Sequence, residues 1–315
     1  MECRFAIGGS GLAENFRGSG QWTVPFGMPR HSLGRVHNKA YDNRMDNRID
    51  QRFSLLRKEG VSGFMAYITG GDPTPAKTVE IAHALSDAGI DFLEIGIPFS
   101  DPLADGLANQ LGAQRALEAG TTVPILLKTI EQIRKGLDLP IILYSYLNPL
   151  FQYGLERFER DAAVAGVDGL LLLDLPPDET LLPDNQKGAL HRIRLVAPTT
   201  PNERIKQIVS RAQGFIYYVS REGVTGEQDA LALTIGERVA SIRRETNLPV
   251  AVGFGISNAE QAAKVATLAD AVVVGSAIVR RIGEFGKDKE LPQRIGEFVE
   301  PLTKAIKSSR RRIEY

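Results

Sequence analysis

From Asp46 onward the chain alternates between short, nearly continuous apolar runs and longer stretches in which apolar residues recur every three or four positions. The runs are Phe64–Thr69, Phe92–Ile97, Ile141–Tyr146, Leu170–Leu175, Arg194–Thr199, Phe215–Ser220, Val250–Gly255 and Ala271–Ser276. Near-continuous apolarity over a strand length fits parallel strands covered on both faces. Between the runs, Pro75–Ala88, Asn109–Ala119, Val123–Lys135, Leu155–Ala165, Asn202–Ala212 and Asn258–Leu268 read as helices. Asn202 and Asn258 are expected N-caps, and Glu203 and Glu260 fall in first turns, where the helix dipole favours acids. Eight strand-then-helix units predict a closed (β/α)8 TIM barrel, one catalytic domain over residues 45–315. An open doubly wound sheet is the alternative, and it typically has fewer strands.

The first 44 residues lack either period. They are rich in glycine and contain six basic residues against three acids, Glu2, Glu14 and Asp42. This segment is expected to be a disordered extension outside the barrel. It reads either as an organelle transit peptide, which is basic and acid-poor, or as an extended start ahead of Met45.

Composition narrows the function. Lys and Arg together number 38, as do Asp and Glu, so there is no basic surplus of the kind bulk nucleic-acid binding needs. Cys3 is the single cysteine, and His31, His37, His83 and His191 do not have ligand spacing, which argues against a metal site. No lysine falls within the predicted strands, which argues against a Schiff-base aldolase.

Barrel enzymes carry their chemistry at the C-terminal ends of strands. The second and third runs start 49 residues apart (92 to 141), so the loop after the second is the first place to search. Glu94 lies inside an otherwise apolar strand, where a carboxylate needs either a partner or a task. The loop beyond it offers Asp101 and Asp105. Gly253–Ser257 and Gly275-Ser276 end the seventh and eighth strands, and with Gly223 and Gly226 they present a phosphate cradle of backbone N–H groups. Arg221–Asp229, after the sixth strand, has the composition of a lid. Tyr67, Tyr144, Tyr146, Tyr217, Tyr218 and Phe254 supply aromatic rings for a flat apolar group or for barrel packing. Metal-free acid/base chemistry by carboxylates on a phosphorylated substrate fits these residues.

The run Leu93–Gly106, LEIGIPFSDPLADG, resembles the signature of the tryptophan synthase alpha subunit family. The likeness covers nearly the whole body. It takes in Asn47-Arg48-Ile49, Thr69–Pro73, Asn148-Pro149, Gly166–Gly169, Asp174–Pro176, Ala197–Pro201, Ser220–Gly226, Gly253–Ser257 and Gly275–Val279. It implies a retro-aldol lyase that cleaves indole-3-glycerol phosphate to indole and glyceraldehyde 3-phosphate. Glu94 would be the general acid/base at indole C3 and the side-chain hydroxyl, and Asp105 would hold the indole N–H. Tyr67, Tyr217 and the lid residue Thr225 would contact substrate, and Gly226, Gly255, Gly275 and Ser276 would bind phosphate.

The resemblance further implies no cofactor on this chain. A beta subunit carrying pyridoxal phosphate would be the partner in an alpha2beta2 heterotetramer, meeting Asp101, Pro102 and Asp174–Pro177. The compartment would be cytoplasmic, or plastid if residues 1–44 are a transit peptide. The chain departs from the family pattern at Leu107, where proline is common, and at Asn109, usually apolar. It departs again over Pro176–Arg194, where Pro183 and Gly188 interrupt an expected helix. Rival readings are another phosphate-binding barrel, expected to use a strand lysine, and a barrel without turnover that activates its partner. Deleting residues 1–44 is expected to leave melting temperature and turnover unchanged, and a drop of several degrees would show that the segment packs on the barrel.

Overall fold

A computed structural model describes residues 47–176, 178–179, 190–219, 228–253 and 255–309, with residues 228–232 described by backbone alone. The predicted extension therefore lies outside the described residues. Eight parallel strands pair in chain order and close on themselves. They are β1 (Gly63–Thr69), β2 (Phe92–Gly96), β3 (Ile141–Ser145), β4 (Gly169–Leu172), β5 (His191–Val196), β6 (Ile216–Val219), β7 (Val250–Gly253) and β8 (Ala271–Val274). Closure is made by β1 on β8, from Gly63 opposite Ala271 to Ala66 opposite Val274. The helices are α1 (Arg48–Glu59), α2 (Pro75–Asp87), α3 (Leu107–Glu118), α4 (Val123–Arg134), α5 (Leu147–Tyr153) and α6 (Leu155–Ala165). They continue with α7 (Asn202–Ser210), α8 (Gln228–Arg243), α9 (Ala259–Ala266), α10 (Ser276–Phe285) and α11 (Leu291–Ser308).

The period of two along each strand separates two cores. Outward residues such as Phe64, Ile68, Leu93 and Ile95 pack beneath the helices. Inward residues such as Met65, Phe92, Ile142, Leu171 and Ile193 fill the barrel, together with Ile49, Phe53 and Leu56 of α1. The Phe53 ring lies 4.5 Å from Phe92 and 5.6 Å from Phe215, so α1 plugs the N-terminal mouth. The opposite end is left for chemistry.

One device recurs at the plugged end. Asp91, Asp168 and Asp270, at most 5% exposed, precede β2, β4 and β8. Each carboxylate accepts an N–H near the start of the preceding strand: Phe64, the second residue of β1, at 2.7 Å, Ile141 at 2.8 Å and Val250 at 3.0 Å. Each aspartate N–H returns a bond to the carbonyl of the same residue, at 2.8, 2.9 and 2.8 Å. Cations complete the carboxylates: Lys307 on Asp91, Arg48 and Arg134 on Asp168, and Arg243 on Asp270.

Two expectations change in detail. The fifth strand runs His191–Val196, three residues earlier than its apolar run, because His191 N–H bonds the Asp168 carbonyl and Arg192 pairs with Glu159. A strand with charged residues facing the helix layer has lost the continuous apolarity that marks the others. Asn258 caps α9 through Gln261 N–H, but Asn202 is the first residue of α7 and Pro201 holds the cap position. The Asn202 side-chain oxygen Oδ1 instead accepts from Arg238 and Ser241.

Asp168→Ala is expected to lower unfolding stability by about 3–5 kcal/mol, because it strips Arg134 and a buried strand N–H of their shared acceptor. Urea denaturation checks this, and a loss below about 1 kcal/mol would show that the aspartate is not a structural tie.

Candidate active site

The open end of the barrel holds a cleft of about 510 Å3, lined by Tyr67, Asp105, Asn109, Tyr144 and Tyr217 and by Gly255, Ser257, Gly275, Ser276 and Arg280. The strand register explains how the first group meets. Tyr67 stands opposite Glu94, and Gly96 opposite Tyr144, so these side chains project inward from β1, β2 and β3 at neighbouring heights. Tyr217 joins them from β6.

Glu94 is 0% exposed. Its Oε2 receives the Tyr217 hydroxyl at a long 3.5 Å, and its Oε1 has no hydrogen-bond partner. Burial disfavours the charged form and pushes the carboxyl up to about 8; the Tyr217 hydrogen bond opposes this and the Asp105 charge adds to it. Glu94 is therefore a neutral acid at pH 7, poised to give up a proton.

Asp105 has the contrary environment. It is half-buried on the loop between β2 and α3. Tyr144 donates its hydroxyl to Oδ1 and Tyr146 donates to Oδ2, both at 2.9 Å, while Asn109 Nδ2 reaches Oδ1 at 3.3 Å. Tyr146 also accepts from Ala104 N–H at 2.9 Å, and Gln110 Nε2 donates to the Asp105 carbonyl at 2.9 Å, so both carboxylate and loop are held. Burial first, and the Asp105 charge second, raise the Tyr144 and Tyr146 hydroxyls, which stay protonated donors. Within one cleft a buried carboxyl short of partners and a carboxyl supplied with three side-chain donors thus stand together.

The glycines make room for the tyrosines. A Cβ on Gly253 would meet the Tyr217 hydroxyl at 2.9 Å, and one on Gly275 would meet Tyr67 Cβ at 3.1 Å and its ring from 3.2 Å. A Cβ on Gly255 would meet nothing within 4 Å among the described residues, so their packing does not require glycine there. Gly275 precedes α10, whose N-terminus has no side-chain cap and no acid in its first turn. An anion seated there would meet the positive end of the helix.

Of the residues singled out from sequence, Tyr67, Asp105, Tyr217, Gly255, Gly275 and Ser276 line this one cleft, and Glu94 meets it through Tyr217. Asp101 does not: it is exposed and bonded to Ser100. Thr225, Gly226, the loop carrying them and Phe254 lie outside the described residues. Sequence reasoning named Tyr144 and Tyr146 only as aromatics and did not foresee their hold on Asp105. It missed Arg280, for which the spacing of four from Ser276 on one helix was the available signal.

The family model described as tryptophan synthase alpha chain matches residues 53–307. A tryptophan synthase alpha chain of Opitutus terrae is 50% identical over 243 residues, covering 76% of this chain and 90% of its own. One from Halorhodospira halophila is 47% identical over 263 residues, covering 82% and 96%. The crystal structure of tryptophan synthase subunit alpha from Legionella pneumophila superposes with a TM-score of 0.76 at 39% identity, covering 82% of this chain and 98% of that one.

Glu94 also makes a prediction about stability. It keeps its proton in the folded protein up to about pH 8, whereas the reference glutamate value is 4.5. Between those values the folded state binds more protons than the unfolded one, so stability falls as pH rises through the window. Glu94→Gln abolishes this dependence. The melting temperature of the variant minus that of wild type is expected to be larger at pH 8 than at pH 5, and an equal difference at both would mean that Glu94 titrates normally.

Proposed function

The chain belongs to the tryptophan synthase alpha chain family, and from that membership we propose that Glu94 and Asp105 divide the proton transfers of its reaction between them. The protein is a lyase of tryptophan biosynthesis that cleaves indole-3-glycerol phosphate to indole and glyceraldehyde 3-phosphate. The observation that carries the assignment is the contrast between a buried Glu94 carboxyl with one unpaired oxygen and an Asp105 carboxylate held by two tyrosine hydroxyls.

In this reading the substrate lies across the cleft with its indole N–H on Asp105 and its phosphate at Gly255, Gly275 and Ser276. Neutral Glu94 protonates C3 of the ring. The ring nitrogen takes on positive charge, and Asp105 stabilises it through the N–H. Glu94, now a carboxylate, removes the proton of the side-chain hydroxyl. The carbon–oxygen double bond forms as the bond from that carbon to C3 breaks, and its electron pair restores the aromatic ring. Glu94 ends protonated again, so the cycle has no net proton balance to settle. Tyr67 and Tyr217 bound the ring and keep water from Glu94. Thr225 and Gly226 are proposed to complete the site from the loop after β6.

The family is consistent with a chain that has no cofactor of its own, and membership implies a complex with the beta subunit. We assign pyridoxal phosphate to that partner and an alpha2beta2 stoichiometry to the complex. Leu103 and Leu107, 90% and 70% exposed, flank Asp105 on the rim of the cleft, which supports docking there. A partner covering them would hold the Asp105 loop in one position. The proposed compartment is the cytoplasm, with a plastid the alternative; a reporter fused to residues 1–44 would decide.

Indole release from indole-3-glycerol phosphate, with and without a beta subunit, tests the assignment. Glu94→Gln is expected to lower kcat by about 10²–10⁴-fold with the fold intact, and retention of a tenth of the wild-type rate would remove Glu94 from its role. Since the acid form is the one required, wild-type kcat/KM should fall as pH rises through about 8.

A further inference from the structure

Among the described residues the lining of the cleft holds two charged side chains of opposite sign, Asp105 and Arg280. Arg280 lies on α10, four residues after Ser276 and thus about one turn from the helix start. Cα–Cβ bonds of a helix tilt toward its N-terminus, so a side chain covers the turn before its own Cα. The Arg280 side chain therefore runs back toward the Gly275–Ser276 corner. It is exposed and makes no hydrogen bond or ion pair with the described residues. Other arginines nearby are occupied: Arg281 stacks on Phe298 at 3.9 Å, and Arg115 grips Asp72 through two bonds.

The phosphate subsite proposed above consists of backbone N–H groups and one hydroxyl. A helix end supplies only about half a unit of positive charge, while a phosphate monoester carries nearly two negative charges at pH 7. The Asp105 carboxylate in the same cleft adds to the repulsion. A free guanidinium at the phosphate end supplies the missing charge and a planar set of donors suited to phosphate oxygens.

We infer that Arg280 is the cation of the phosphate subsite and that it sets the preference for a phosphorylated over an unphosphorylated glycerol side chain. This rests on the phosphate reading of Gly255, Gly275 and Ser276. The two charges of opposite sign also favour one orientation of the substrate: N–H toward Asp105, dianion toward Arg280. Because the phosphate is remote from the bond that breaks, the contact holds substrate and transition state alike.

The test measures binding of glycerol 3-phosphate and of indole, together with steady-state cleavage, in wild type, Arg280→Met, Arg280→Lys and the neighbouring Arg281→Met. Arg280→Met is expected to weaken glycerol 3-phosphate about tenfold and to raise KM for the phosphorylated substrate by a similar factor, with the loss falling on KM rather than kcat. Indole affinity should not move. Arg280→Lys should recover most of the loss, Arg281→Met should show none, and the affinity of Arg280→Met for glycerol 3-phosphate should depend less on salt than that of wild type. Glycerol 3-phosphate binding within twofold of wild type in Arg280→Met, or an equal loss of indole affinity, overturns the inference. Gly255→Asp separates the two readings, since space is open there. If it abolishes glycerol 3-phosphate binding while Arg280→Met does not, Arg280 alone is wrong. If neither variant changes binding, the phosphate subsite itself falls.

Discussion

The reciprocal bonds between three buried aspartates and the strand starts are the constraint from which the rest of the barrel follows. Asp91, Asp168 and Asp270 each accept and return a backbone bond with the first or second residue of an odd-numbered strand. A parallel ladder leaves its first N–H groups unpaired at the N-terminal edge, and a buried donor without an acceptor is costly. The aspartates remove that cost and bring cations from α1, α4, α8 and α11 across the edge, tying the helix layer to the sheet. With α1 plugging the same mouth, registration of the strands is secured far from the cleft. The opposite end is then free to hold groups that stability alone would not choose.

Glu94 is such a group. Its buried carboxyl has one unpaired oxygen and a single long bond from Tyr217. A leucine there would pack without desolvation cost. Asp105 is a carboxyl as well, yet Tyr144, Tyr146 and Asn109 aim their donors at it. Environment alone gives two carboxyl groups of one cleft different sets of partners. The difference depends on tyrosines that reach inward, and these fit because Gly253 and Gly275 lack the atom that would block Tyr217 and Tyr67.

Legibility in the sequence followed the range of the interactions. Strands buried on both faces announced themselves as apolar runs, so the barrel was readable, and Glu94 stood out because it broke such a run. The fifth strand was misplaced where Arg192 and Arg194 interrupt the pattern. The aspartate ties escaped notice, although Ala88-Gly89-Ile90-Asp91 and Ala165-Gly166-Val167-Asp168 repeat one motif; their partners lie 27 residues away. The hold on Asp105 was likewise hidden, since Tyr144 and Tyr146 meet it across 39 and 41 residues. Spacing within one helix or strand can be read from a chain, whereas a bond between distant loops requires the register of the whole sheet.

The departures at Leu107 and Asn109 take on meaning in that light. Leu107 opens α3, where a proline would preset the backbone for the first helical turn. Without it, the loop from Pro102 to Gly106 relies on side chains: Tyr146 accepts from Ala104 N–H, Gln110 holds the Asp105 carbonyl, and Asn109 reaches the Asp105 carboxylate. An apolar residue at 109 could make no such bond. Hydrogen bonds from side chains thus restrain the loop and Asp105 in this chain. The Asn109 bond engages the carboxylate itself, as do those of Tyr144 and Tyr146, whereas Gln110 and Ala104 fix the backbone beside it, so loop and carboxylate are held together. An indole N–H arriving at Asp105 meets an acceptor whose place in the cleft these bonds fix.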